Sequence, residues 1–301
     1  MNPWIIFTAA VIFLIVVDLE VLHLQKRAMS LRKSLYLSIF YIIIACLFGV
    51  YIYFEMSPMK ASEYFTGYLL EKVMSLDNIF VISMIFNLLK IPDHLQHRVL
   101  LIGIISVIIF RALMIFAGVT LLQHFTWLLS LFSVLLIFTG IKTIILVYKE
   151  SEQFNLKESR IYLFLKEKFR ISNKLHGEDF TFVEDGKRYF TPLFLALIMI
   201  EIMDLVFAVD SIPAIFAITQ DSFIVYTSNI FAILGLRALF FCLSHMIKMF
   251  KYIKYSIGLI LIFIGCKLFI SQTIMHVPST ITLMVTITLL FGGVITSIIK
   301  R

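Results

Sequence analysis

Nine stretches of the chain are each long and apolar enough to cross a lipid bilayer: 4–22, 34–54, 66–89, 98–122, 126–147, 192–219, 224–246, 255–273 and 279–299. A hydrocarbon core about 30 Å thick needs roughly 20 apolar residues of helix. Within it each backbone N–H and C=O must find a partner inside the protein, which restricts such segments to α-helix. The expected fold class is therefore all-α, a polytopic membrane protein of about nine transmembrane helices. Composition agrees: 60% of residues are hydrophobic and 15% charged, against about a quarter charged in a soluble domain. Disorder and collagen are excluded by the same balance. Cys46, Cys242 and Cys266 are isolated and form no CxxC, so neither a disulfide framework nor a redox pair is expected.

The basic residues orient the spans. Lys60 alone falls on the side of the N-terminus, whereas twenty Lys and Arg fall on the other, nine of them in the 148–190 loop. The positive-inside rule then places the N-terminus outside and the C-terminus in the cytoplasm. The net charge of +7 has this origin, and no zinc-finger, basic-zipper or RNP pattern points to nucleic acid. In the 148–190 loop, residues 156–170 suit an interfacial helix, and Asp185-Gly186 between aromatic runs is a hairpin signal. The first segment lacks a preceding basic residue and a small-residue cleavage site, so it reads as a retained span.

Landmarks recur in order. Glu71 and Asp77, six apart, are followed by Asn78; Asp204 and Asp210, six apart, are followed by Ser211. Arg111-Ala112-Leu113 matches Arg237-Ala238-Leu239, and LIFTGIK ending at Lys142 matches LIFIGCK ending at Lys267. Each unit has three helices, so the halves run in opposite directions, as in transporters whose site lies at the repeat interface. The expected organisation is two N-terminal helices (1–65), a first three-helix repeat (66–147), a cytoplasmic loop (148–190), a second repeat (191–274) and a C-terminal helix (275–301).

Charges within spans cost about 2.5–3.5 kcal/mol each even on the lenient insertion scale, so they face the bundle interior or water. Glu71, Asp77, Glu201, Asp204 and Asp210 lie within spans, as do Lys72, Arg111, Lys142, Arg237 and Lys267. Five acids against five bases would also suit plain helix-pairing ions. The three lysines lie near span ends, where a long side chain can snorkel to the interface. Near the centre remain Asp77, Glu201, Asp204 and Asp210 against Arg111 and Arg237, an excess of two negative charges. One divalent cation would balance it, and so would two protons. Glu201 and Asp204 share a helix face, as do Glu71, Ser75 and Asn78. Pro213 removes a backbone donor, so the sixth helix is expected to break at Val209-Asp210-Ser211 and expose carbonyl oxygens. The candidate ligands Glu71, Asp77, Asn78, Glu201, Asp204, Asp210 and Ser211 all offer oxygen, which suits Mg²⁺, Ca²⁺ or Mn²⁺. Met74 and Met203 beside them could favour Mn²⁺, although core packing also explains them. Arg111 and Arg237 are the charge-pairing residues. No catalytic motif such as HExxH, GxSxG or a P-loop is present, so no enzymatic activity and no permanently bound cofactor are expected.

EKVMSLDNIFV (71–81), EIMDLVFAVDSIPAIFAIT (201–219) and FIVYTSNIFAILGLRALFF (223–241) resemble the signature segments of the TerC/Alx family of integral membrane proteins. The resemblance covers essentially the whole chain. It implies a multi-pass protein of the bacterial cytoplasmic membrane, in a family named for tellurite resistance yet similar to manganese exporters and linked to metal supply for exported enzymes. Its functional acids would fall on Glu71, Asp77, Glu201, Asp204 and Asp210. The expected function is divalent metal efflux, Mn²⁺ first, through a mid-bilayer carboxylate site with protons as counter-ion. The implied partners are the bilayer, the metal ion, protons and, through metal supply, secretion machinery. Two alternatives stand beside it: an assembly or exoenzyme-metalation factor without transport, and an exporter of a small zwitterionic metabolite anchored by Arg111 and Arg237.

Overall fold

The computed structural model describes residues 2–24, 31–125, 127–148, 175–184, 186–243, 253–273 and 278–299, with 164–165, 168–169 and 171–172. Within its helices some side chains are not described, those of Asp77 and Asp210 among them. The described chain is mostly helical: α1 (Pro3–Leu24), α2 (Leu31–Glu55), α3 (Pro58–Leu88), α4 (Asp93–His124), α5 (Leu128–Tyr148), α6 (Pro192–Phe216), α7 (Ser222–Leu234), α8 (Leu236–Leu243), α9 (Ile253–Thr273) and α10 (Ser279–Ile299). Among the described residues six stretches are long and apolar enough to cross a membrane: Arg32–Glu55, Asp93–Leu122, Leu128–Ile145, Pro192–Phe216, Ser222–Cys242 and Thr280–Ser297. Pro3–Leu19 and Tyr255–Ser271 are shorter apolar helices. α3 carries Glu71, Lys72 and Asp77 close together and is not among the six. Large apolar side chains such as Phe13, Leu47, Leu113, Phe138 and Phe291 stand exposed on the outer faces, as expected where lipid rather than water is the solvent.

One helix extends well beyond the apolar run that announced it. α3 starts at Pro58 rather than 66, because Ser57 caps it: its Oγ accepts from the Lys60 N–H at 3.1 Å, and Pro58 occupies the first turn, where no N–H is needed. It ends at Leu88, and beyond the cap Lys90 takes the left-handed conformation (φ 51°) while Ile91 N–H reaches back to the Phe86 carbonyl at 2.9 Å, a Schellman stop made without glycine.

The expected helix break is in a different place. α6 runs unbroken through Pro213 to Phe216, so the break predicted at Val209-Asp210-Ser211 is absent. Proline removes one N–H, and here only one turn of helix remains beyond it, closed by Ala217 N–H on the Pro213 carbonyl at 3.0 Å. The span predicted over 224–246 is present as Ser222–Cys242, but with its helix interrupted at Gly235 between α7 and α8. A Cβ on Gly235 would lie 2.8 Å from Lys72 Nζ and 3.2 Å from Tyr41 Cβ, so the glycine leaves room for both side chains. Lys72 does not snorkel: its ammonium donates to the Ala232 carbonyl at 3.0 Å, at the end of α7, where helix carbonyls lack intrahelical donors and carry partial negative charge. Lys72 is half-buried and Lys267 buried, whereas Lys142 is exposed.

An aromatic core formed by Phe7, Phe48, Tyr64, Phe223 and Phe231 joins α1, α2, α3 and α7. α5 and α9 pack backbone to backbone. A Cβ on Gly140 would meet the Gly258 carbonyl at 2.6 Å and Ile262 Cγ1 at 2.7 Å; on Gly265 it would meet the Ser133 carbonyl and Ile137 Cγ1, both at 2.8 Å. At one end of the bundle an antiparallel hairpin pairs β1 (Thr181–Glu184) with β2 (Lys187–Phe190), with Gly186 at φ 70° in the turn, as the Asp-Gly signal required. Arg98 fastens it to α4 by an ion pair with Glu178 at 3.0 Å. The interfacial helix expected over 156–170 falls largely outside the described residues.

Candidate functional site

Glu71 and Asn78 on α3, and Asp204 and Ser211 on α6, are each seven residues apart, so each pair lies along one helix face two turns in length. Those faces meet around a single side chain from α4. Arg111 Nη1 lies 2.9 Å from Glu71 Oε1 and donates to Ser211 Oγ at 3.0 Å. Its Nε and Nη2 donate to Asp204 Oδ2 and Oδ1 at 3.2 and 3.1 Å, the two-point geometry that suits a planar guanidinium to a carboxylate. Asn78 Nδ2 donates to Asp204 Oδ1 at 3.4 Å. Arg111 and Glu71 are each 1% exposed. Three helices are thereby joined through one buried cation.

The donors do not exhaust the acceptors. Glu71 Oε2 and Asn78 Oδ1 are buried without a hydrogen-bond partner, as are both carboxylate oxygens of Glu201. Burying such groups unpaired costs a few kcal/mol each, so they mark a place where a ligand or water is wanted. Glu71, Met74, Asn78, Arg111 and Ser211 line a cavity of about 140 Å³ that extends to Thr139 and Thr143 on α5 and to α9. A water requires roughly 10–15 Å³ of such space, so several waters or a partly hydrated ion fit. A smaller cavity of about 30 Å³ lies towards the hairpin end and shares Asn78 and Phe207 with the first; Gly103, Met203 and Asp204 line it. Glu201 lies beside it, one turn from Asp204. A Cβ on Gly103 would stand 3.3 Å from Glu201 Oε1, so the glycine leaves room for the acid.

Of the expected site residues, Glu71, Asn78, Asp204, Ser211 and Arg111 come together, and Glu201 stands next to them. Ser75 turns back on its own helix, donating to the Lys72 carbonyl at 2.6 Å. Asp77 and Asp210 occupy helical backbone in α3 and α6, and their side chains lie outside the described residues. Among the described residues no three His, Cys, Asp or Glu side chains are gathered closely enough to hold a metal ion. The constellation is two carboxylates, an amide and a hydroxyl around a guanidinium.

Arg237 departs from the expectation. It does not join the central acids; its Nη2 donates to Asp18 Oδ1 at 2.7 Å and to the Asp18 carbonyl at 3.1 Å, and Tyr41 donates its hydroxyl to the same carboxylate. Asp18 and Tyr41, on α1 and α2, were missed as partners because both lie outside the expected repeat. The available signal was an acid inside the apolar run of α1. Lys60, Glu63 and Asp221 form a further cluster at the end opposite the hairpin, with Lys60 Nζ 3.2 and 3.0 Å from the two acids.

The profile of the integral membrane protein TerC family matches residues 56–301. An uncharacterised membrane protein of Rickettsia felis is 54% identical over 298 residues, covering 99% of this chain and 98% of its own. A membrane protein of Myxococcus xanthus is 40% identical over 297 residues, covering 99% and 92%. A Salmonella typhi protein with the provisional name membrane-bound redox modulator Alx is 40% identical over 285 residues, covering 91% and 87%. No solved structure matches significantly. With buried charge clusters inside a bundle of lipid-facing helices and a match over most of its length, this chain belongs to the TerC family of multi-pass integral membrane proteins.

Proposed function

We propose that the protein is a carrier, not an enzyme, that moves a divalent cation, Mn²⁺ first, out of the bacterial cytoplasm through the site around Glu71 and Asp204. The observation that carries the reading is the set of uncommitted buried oxygens at a roomy cavity: Glu71 Oε2 and Asn78 Oδ1 have no partner beside about 140 Å³ of space. Glu71, Asp204 and Glu201 face one balancing charge, Arg111, which leaves two negative charges for a divalent ion to offset. Asp77 and Asp210 would add to the excess. An all-oxygen set with a thioether at its edge, Met74, suits a hard to borderline cation such as Mn²⁺. Protons are the proposed counter-ions, because carboxylates that release a cation inside a membrane must be neutralised again. Arg111 and Arg237 each already hold a carboxylate of this chain, which disfavours a zwitterion anchored by both.

The finer architecture belongs to the same proposal: nine spans in the cytoplasmic membrane, N-terminus outside, with α3–α5 and α6–α9 as inverted repeats. Matching LIFTGIK to LIFIGCK pairs Gly140 with Gly265, Ile137 with Ile262 and Ser133 with Gly258. The α5–α9 contacts obey that exchange, since Gly140 meets Gly258 and Ile262 while Gly265 meets Ser133 and Ile137. Such reciprocity supports a two-fold relation. The cation site would then lie where Glu71 of one repeat meets its counterpart Asp204, as in other inverted-repeat carriers.

Purified protein in liposomes, presented with a panel of divalent cations, tests the proposal. Wild type is expected to move Mn²⁺, and Glu71→Gln and Asp204→Asn to insert normally yet lose flux. Absence of metal movement by folded wild type would overturn it in favour of an assembly role.

A further inference from the structure

Arg111 occupies the place where a shared cation would sit. Glu71 and Asp204 are joined through its guanidinium: Nη1 lies 2.9 Å from Glu71 Oε1, and Nη2 lies 3.1 Å from Asp204 Oδ1. All three of its nitrogens are engaged on these two acids and Ser211. A metal ion ligated by both acids cannot keep the guanidinium in that position, since the two cations would compete for the same lone pairs and repel each other in a low-dielectric interior. The side chain has somewhere to go, because it lines the 140 Å³ cavity that continues to Thr139 and Thr143 on α5.

We infer that Arg111 is a tethered stand-in for the cargo: it neutralises and closes the empty site and is displaced when the cation binds. This rests on the proposed transport. It assigns the residue a task that helix pairing alone does not require. A carrier that faces both sides in turn must also reorient without its cation, and bare buried carboxylates would oppose that step: the counter-ion protons neutralise the acids that Arg111 does not hold, and Arg111 neutralises Glu71 and Asp204. With Arg111 in place the empty site resembles the loaded one, its helices drawn together by a positive charge. The guanidinium lowers affinity by competition and permits the empty return. Arg111 is a positioning residue, acting through the acids on the cation.

The test separates net transport from exchange. Exchange of Mn²⁺ for labelled Mn²⁺ uses only the loaded carrier, whereas net efflux also needs the empty return. Liposomes carrying wild type, Arg111→Gln or Arg111→Lys are assayed for both, and Mn²⁺ binding to each purified protein is measured by calorimetry. Arg111→Gln is expected to bind Mn²⁺ about tenfold more tightly, equivalent to about 1.4 kcal/mol, to keep exchange, and to lose most net efflux. Arg111→Lys, a point charge that cannot grip two carboxylates at once, should fall between. If Arg111→Gln does not insert as a monodisperse protein, the fall in net-to-exchange ratio of Arg111→Lys decides. Net efflux undiminished in either variant, or binding and exchange lost together from a folded variant, would overturn the inference while wild-type flux keeps the transport reading intact. Wild type that moves no Mn²⁺ would instead overturn the transport reading, and this inference with it.

Discussion

Removing Asp18 should destabilise the protein more than any single change at the lipid-facing surface. The carboxylate lies between α1, α2 and α8, bonded to Arg237 Nη2 at 2.7 Å and to the Tyr41 hydroxyl. Arg237 is 0% exposed, and its Nε and Nη1 have no partner even with Asp18 in place. Asp18→Ala would strand a buried guanidinium whose remaining described bond is to the Asp18 carbonyl at 3.1 Å. Breaking one side of a buried pair costs about 3–5 kcal/mol, and loss of the Tyr41 bond adds about 1 kcal/mol. Removing both charges should be far milder, because an apolar pair of similar volume is often neutral or stabilising. Thermal unfolding in detergent, followed by a thiol-reactive dye and by loss of the monodisperse peak, reads the difference. Asp18→Ala and Arg237→Leu should each lower the melting temperature by several degrees, and the double variant Asp18→Leu/Arg237→Leu should recover most of the loss. Single variants that melt with wild type, or a double variant worse than both, would refute the pairing.

Glu201→Gln should leave stability within about 1 kcal/mol, since no hydrogen bond to Glu201 is lost, while lowering Mn²⁺ flux; a large drop in melting temperature would show that Glu201 is structural. Gly140→Val and Gly265→Val should each destabilise by about 1–3 kcal/mol through overpacking, because each added side chain meets a backbone carbonyl across the α5–α9 contact. Similar melting shifts are expected from the two, and a severe effect at one site only would contradict the two-fold relation. Asp221→Asn should change stability by no more than about 1 kcal/mol, as Lys60 and Asp221 are partly exposed, such pairs contribute little and the amide oxygen can still cap α7; denaturant titration checks it.

How far the sequence carries follows from where each signal originates. Length and apolarity of a segment are local, so the helices were readable, and the Asp-Gly turn fixed the hairpin. Charges inside apolar runs stand out against a strong background, which is why Glu71, Arg111 and Asp204 could be named before their contacts were known. The assumption that repeat counterparts share a role was less secure. Arg111 and Arg237 match in sequence, yet one pairs with Glu71 and Asp204 and the other with Asp18 on α1. Pro213 was the stronger local breaker, but the helix passes through it. Gly235, where α7 gives way to α8, leaves room for Lys72 and Tyr41, from helices distant in sequence, and a lone glycine in an apolar run gives no warning of that. Lys72 turns inward to the Ala232 carbonyl, a partner equally distant in sequence.

The most direct measurement is an anomalous difference map of the protein crystallised with Mn²⁺. One manganese peak between Glu71 and Asp204, with Arg111 withdrawn towards α5, is the expected result. A fully loaded crystal whose manganese lies elsewhere, with Arg111 still clasping both acids, would contradict the assignment of this site to the cation.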